Sequence, residues 1–143
     1  MAVLWSMLLA VAVVLGSTII HYEGIHRLDH YARAHPRGPY PTLLLVISGL
    51  IVLHLVEIGL YAGMFVFADG PLNLGDFRGA PVMGPLDYFY YAAEAYASLG
   101  YGDIYPTGAM RLIGAIAPVN GLLLMAWSGC FLFSLVEEWR RKD

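Results

Sequence analysis

The sequence predicts an all-α membrane protein: three transmembrane helices plus a short re-entrant helix and loop, assembled as a homotetramer. Three observations carry this. The 143-residue chain is 59% hydrophobic and 13% charged, a composition far from that of a water-soluble domain. Its apolar residues gather into three long runs, each close to the roughly 20 residues that cross a bilayer core. Between the second and third runs lies a short aromatic segment, followed by Ser98-Leu99-Gly100-Tyr101-Gly102-Asp103. The net charge of -3 includes no basic patch, so no nucleic acid is expected as a partner. The lone Cys130 has no intramolecular disulfide partner and reads as a small hydrophobe.

Residues 1–20 are uncharged and interrupted only by Ser6, Gly16, Ser17 and Thr18. No Lys or Arg precedes the run and no clear small-x-small site follows it, so a retained helix is expected over a cleaved leader. Residues 21–41 are polar. Glu23/Arg27 and Asp29/Arg33 form i,i+4 pairs, and Tyr22, Ile25, Leu28 and Ala32 fall near helical spacing. This predicts a cytoplasmic amphipathic linker lying on the membrane, ended by Pro36, Gly38, Pro39 and Pro41. Its histidines, His21, His26, His30 and His35, read first as solvated, with a titrating role left open.

Residues 42–67 form the second span. His54 and Glu57 lie three apart near mid-membrane, where ionisable groups are costly and face protein or a cavity. They are either a buried pair fixing helix packing, a metal-ligand pair or a gating proton site. Gly59 and Gly63 offer a small-residue face for close helix contact. Residues 68–85 read as an irregular outer loop. Residues 86–97 read as a helix too short to span, with Pro85 and Asp87 suited to its first turn. Its C-terminal dipole favours a cation. Residues 108–136 form the last span, kinked at Pro118, with Gly121 and Gly129 as flexible points. Asn120, polar at mid-depth, faces either a water-filled cavity or another helix. Residues 137–143 form the tail.

The chemistry of residues 98–103 follows from what a monovalent cation needs. To cross a membrane it must exchange water for protein oxygens at little net cost, and successive backbone carbonyls aimed at one axis do this. Turning them inward requires alternating backbone conformations, which Gly100 and Gly102 reach without steric cost. Ser98 adds a hydroxyl at the inner end. One chain supplies a quarter of such a ring, so three identical subunits are the expected partners, within a lipid bilayer. The basic residues set orientation. Arg27, Arg33, Arg37, Arg140, Arg141 and Lys142 lie on one side, and Arg78 and Arg111 on the other. The N-terminus is therefore expected outside and the C-terminus in the cytoplasm, with the loop entering the cell membrane from outside.

The run from Glu94 to Pro106 resembles the pore helix, filter and following Tyr-Pro of potassium channels, particularly small bacterial ones with two pore-forming helices. The resemblance takes in residues 42–136 and leaves the first helix as an addition. It implies a passive potassium-selective channel that is not an enzyme and needs no cofactor, with K+ as the permeant ion. Ser98, Leu99, Gly100, Tyr101 and Gly102 take the ion-binding positions, with Ser for threonine and Leu for valine as departures. Glu94 and Asp103 take the positions of a carboxyl pair behind the filter, Tyr90 and Tyr91 those of an aromatic cuff, and Gly121 that of a hinge beside Pro118. The alternatives are a poorly selective cation channel, or a non-conducting metal- or pH-sensing protein using His54, Glu57 and the histidine-rich segment. No helix carries the repeated Arg of a voltage sensor, which leaves pH, lipid, membrane tension or filter inactivation as gating stimuli, and the histidine segment and the Glu94/Asp103 pair put protonation first.

Overall fold

The computed structural model describes residues 1–35 and 38–141. Pro36, Arg37 and Lys142, used above as a helix stop and in the charge count, lie outside them. Four helices run in order: α1 (Ala2–Ala34), α2 (Pro39–Asp69), the short α3 (Pro85–Tyr96) and α4 (Arg111–Arg140). A 3₁₀ turn, Gly108–Met110, leads into α4. α1, α2 and α4 with its leading turn are the three helices long and apolar enough to cross a membrane.

The polar segment after residue 20 does not form a separate surface helix. α1 continues through it for 33 residues, about 50 Å at 1.5 Å per residue, longer than a hydrocarbon core is thick. The reason is local: nothing from His21 to Ala34 breaks a helix, and Asp29 pairs with Arg33 at 2.9 Å along its exposed side. His35 leaves the helical region at φ -123° and ψ 74°, as a residue before proline does. Pro39 opens α2 rather than closing the linker.

α1 packs on α2 and α4, and α3 packs on α2 and α4. Within one chain the predicted Gly59/Gly63 face is not the tightest helix contact: a Cβ at Gly59 would meet Phe89 of the short helix at 3.9 Å, and one at Gly63 nothing within 4 Å. α1 and α2 meet instead at two reciprocal sites. Leu53 of α2 sits over Gly24, and Leu28 of α1 sits over Gly49, at 2.6 and 2.8 Å from where a Cβ would stand. Arg33 of α1 donates to Glu138 of α4 at 3.0 Å, so the two basic helix ends lie together, as the charge count requires. The main core, with Tyr61, Phe65, Tyr96, Met110 and Ile113 fully buried, joins α2, α3, α4 and the turn with Ala10 and Val13 of α1.

The outer loop does contain regular structure. β1 (Phe77–Gly79) pairs antiparallel with β2 (Ile104–Pro106), with Arg78 opposite Tyr105. The pairing ties the loop before α3 to the chain leaving the glycine motif.

Candidate functional site

The site is built from α3 outward. Pro85 occupies the first helical position, and the Asp87 carboxylate accepts the Met83 and Gly84 backbone N–H groups at 2.7 and 2.9 Å. Tyr88 donates its hydroxyl to Asp69 at the end of α2, a bond that raises the Tyr88 pKa to about 12. Tyr91 is buried edge-on against Phe65 and Phe77 at 4.9 and 5.0 Å. At the other end α4 comes so close that a Cβ on Gly121 would lie 2.1 Å from the Tyr96 carbonyl oxygen. α3 is thus held at both ends by different helices.

α3 closes with Ser98 N–H donating to the Ala95 carbonyl at 3.1 Å and Leu99 N–H to that of Glu94 at 2.8 Å. Beyond it the backbone alternates. φ is positive at Ser98 (59°), Gly100 (58°) and Gly102 (78°), every second residue. Gly100 and Gly102 take this without cost; Ser98 is a non-glycine in a region such residues rarely enter, a strain of order 1–3 kcal/mol that its surroundings must hold. The far end is clamped. Asp103 accepts the Tyr90 hydroxyl at 3.0 Å through its side chain and the Ala80 N–H at 2.7 Å through its carbonyl. Gly79 (φ 100°) permits that approach, since a Cβ there would stand 2.0 Å from the Asp103 oxygen.

Glu94 is buried behind the loop, and its Oε2 has no hydrogen-bond partner among the described residues. Burial, and then the Asp103 carboxylate, raise its pKa, which the Tyr101 backbone N–H offsets only in part. A cleft of about 390 Å³ is lined by Glu94, Ser98, Gly100, Gly102, Gly114 and Pro118, among others. The structure therefore brings together Glu94, Asp103, Tyr90, Pro118 and the 98–102 loop, and Tyr91, whose ring is buried in the core, also lines the cleft.

Asn120 faces its neighbouring helices. It is buried, and its amide donates to Ser17 of α1 at 2.6 Å and to the Tyr61 hydroxyl of α2 at 3.0 Å. Its polarity is spent on holding three helices together.

His54 and Glu57 belong to a larger buried node. His21 Nδ1 lies 2.8 Å from Glu57 Oε1, and His54 Nδ1 lies 3.0 Å from Glu57 Oε2. Tyr96 donates to Glu57 and lies 3.0 Å from His54 Nδ1. Ser128 Oγ sits 3.1 Å from His54 Nε2 and 3.4 Å from His21 Nε2. All four helices contribute. His21 is thus fully buried, not solvated as the linker reading had it, whereas His26, His30 and His35 are not buried. The sequence held no signal for His21 beyond its histidine neighbours, because its partners come from two other helices, α2 and α4.

A family model described as ion channel matches residues 42–138, some two thirds of the chain. The chain belongs to that ion channel family. It is a family of two-helix potassium-channel pore domains and not of enzymes, and ion passage needs no cofactor. No curated protein and no solved structure matches the chain. The matched stretch of the channel begins at Thr42, so α1 lies outside it and yet supplies Ser17 and His21 to the buried contacts.

Proposed function

We propose that four copies of this chain assemble around an axis as a passive potassium-selective channel, with residues 98–102 as its filter. The observation that carries this is the alternation of positive φ at Ser98, Gly100 and Gly102 directly after α3. Such alternation turns successive carbonyls to one side, the requirement for replacing a hydration shell. Leu99 and Tyr101 are 58% and 67% exposed in a single chain, large apolar groups that neighbouring subunits would cover. Tyr90 and the Ala80 N–H fix the outer end of the filter through Asp103. Pro118, which cannot donate the backbone bond of its helical turn, is the bend of the inner helix, with Gly121 three residues on as the hinge. Both α1 and α4 end on the cytoplasmic side, by the excess of basic residues there.

The test is a reversal potential on protein reconstituted in liposomes under a potassium/sodium gradient. A potential near the potassium equilibrium value supports the reading. Equal permeability leaves a poorly selective cation channel, the reading that the departures at Ser98 and Leu99 favour. Gly102→Ala, with a side chain at φ 78°, should abolish potassium selectivity.

A further inference from the structure

We propose that His21, His54 and Glu57 form a binding site for one divalent transition-metal ion, with zinc as the best fit to the donors. Each offers one ligand atom, and these atoms lie within 4.8 Å of one another. His21 and Glu57 have no exposed surface, and His54 is largely covered. Two imidazoles and a carboxylate are a borderline donor set that zinc takes at 2.0–2.2 Å, with a water as fourth ligand. Such bonds set ligand–ligand edges of about 3.3 Å in a tetrahedron. The observed contacts of 2.8 and 3.0 Å run to the two different oxygens of Glu57, so one opens by a few tenths of an ångström while the carboxylate turns to bring a single oxygen to both nitrogens.

Proton counting points the same way. With both Nδ1 atoms donating to Glu57, the two bare Nε2 atoms at 3.1 and 3.4 Å must share the single hydrogen of Ser128. The node also holds a buried carboxylate that demands a positive charge. A metal ion on the two Nδ1 atoms and the carboxylate resolves both. Each imidazole then carries its hydrogen on Nε2, and both Nε2–H groups point at Ser128 Oγ, whose two lone pairs accept them. Metal-bound histidines commonly turn their second nitrogen to such an acceptor. Tyr96 meanwhile donates to the ligating carboxylate, two residues ahead of Ser98. Through Tyr96 the ion would bias the end of α3 that carries the filter, an effect that rests on the proposed channel function.

The experiment measures metal content of tag-free, detergent-solubilised protein, stripped with chelator and reloaded with zinc, then again with cobalt. The expected result is about one metal per chain, with cobalt showing the visible bands of four-coordination. The triple variant H26A/H30A/H35A keeps it, and His21→Ala and His54→Ala lose it. Ser128→Ala, which leaves all three ligands in place, should weaken affinity about 10–100-fold. His54→Gln with an unchanged size-exclusion profile guards against loss by misfolding. Wild-type protein without stoichiometric zinc, as when one imidazole simply holds a second proton, overturns the site. So does undiminished binding in a correctly assembled His21→Ala. Neither readout involves ion flux: a zinc-loaded chain that does not conduct refutes the channel alone, and a metal-free conducting one refutes only the site.

Discussion

A methyl group added at Gly121 would stand 2.1 Å from the Tyr96 carbonyl oxygen, whereas one at Gly129 would meet nothing within 4 Å. Backbone cannot step aside as a flexible side chain does, so Gly121→Ala should cost about 1–3 kcal/mol by overpacking. Gly129→Ala, in open helix, should be neutral or stabilising by up to about 1 kcal/mol. The thermal midpoint of solubilised protein separates them; equal shifts would mean that the contact with α3 is not what requires glycine at position 121. Asn120 makes the complementary case. Its bonds to Ser17 and Tyr61 are polar links between helices, worth on average about 0.6 and at most about 1.7 kcal/mol each. Asn120→Ala should lose about that much, and a double-mutant cycle with Ser17→Ala should return a coupling of the same sign and size. A coupling near zero would place the value of Asn120 elsewhere. The sequence left cavity and helix contact equally open for Asn120 because the deciding partner, Ser17, is 103 positions away.

At the scale of elements, α3 and its loop act as one unit, bounded by Glu94 behind and by the β1–β2 pairing outside. Asp103, Tyr90 and Tyr91 are the titratable groups that bear on Glu94, and Tyr101 reaches it through its backbone. With burial dominant and Asp103 second, its pKa in the folded chain lies above its ordinary 4.5. The sign follows: the folded state then binds more protons than the unfolded one in the window above 4.5. The contribution of Glu94 is therefore fully favourable below that pH and is lost as pH rises through its raised value. The melting midpoint should fall across this window in wild type and much less in Glu94→Gln; parallel pH curves would show that Glu94 is not the group responsible. The existence of α3 was legible, because Pro85, Asp87 and a gap too short to span act locally on the chain. β1 and β2 were not, since three-residue strands carry no periodicity and form only by backbone bonds to a distant segment. The continuity of α1 was hidden for another reason. Its charged turns look like a change of environment, whereas in the fold the helix simply continues through them and keeps its hydrogen bonds.

For the whole molecule, the family match ends where the stabilising contacts do not. Residues 42–138 contain the loop and its clamps, yet two of their buried polar groups depend on α1. Glu57, fully buried, meets His21 at 2.8 Å, and Asn120 meets Ser17 at 2.6 Å. A chain lacking residues 1–35 would turn that surface toward lipid, which offers neither a hydrogen bond nor a charge. Leaving a buried hydrogen-bonding group without its partner costs about 1–3 kcal/mol, and more for a carboxylate, against about 0–1 kcal/mol for the loss of an exposed pair such as Arg33–Glu138. The truncated pore should therefore assemble poorly, as read by size exclusion with light scattering and by the melting midpoint. Adding Glu57→Gln and Asn120→Ala to the truncated chain removes the stranded carboxylate and amide, and should recover part of the loss. Arg33→Ala in the full chain should change neither readout. If truncation alone leaves assembly and midpoint intact, α1 only rests against the pore. If the double substitution recovers nothing, apolar packing such as Leu28 over Gly49, and not the polar node, is what binds α1 to the channel.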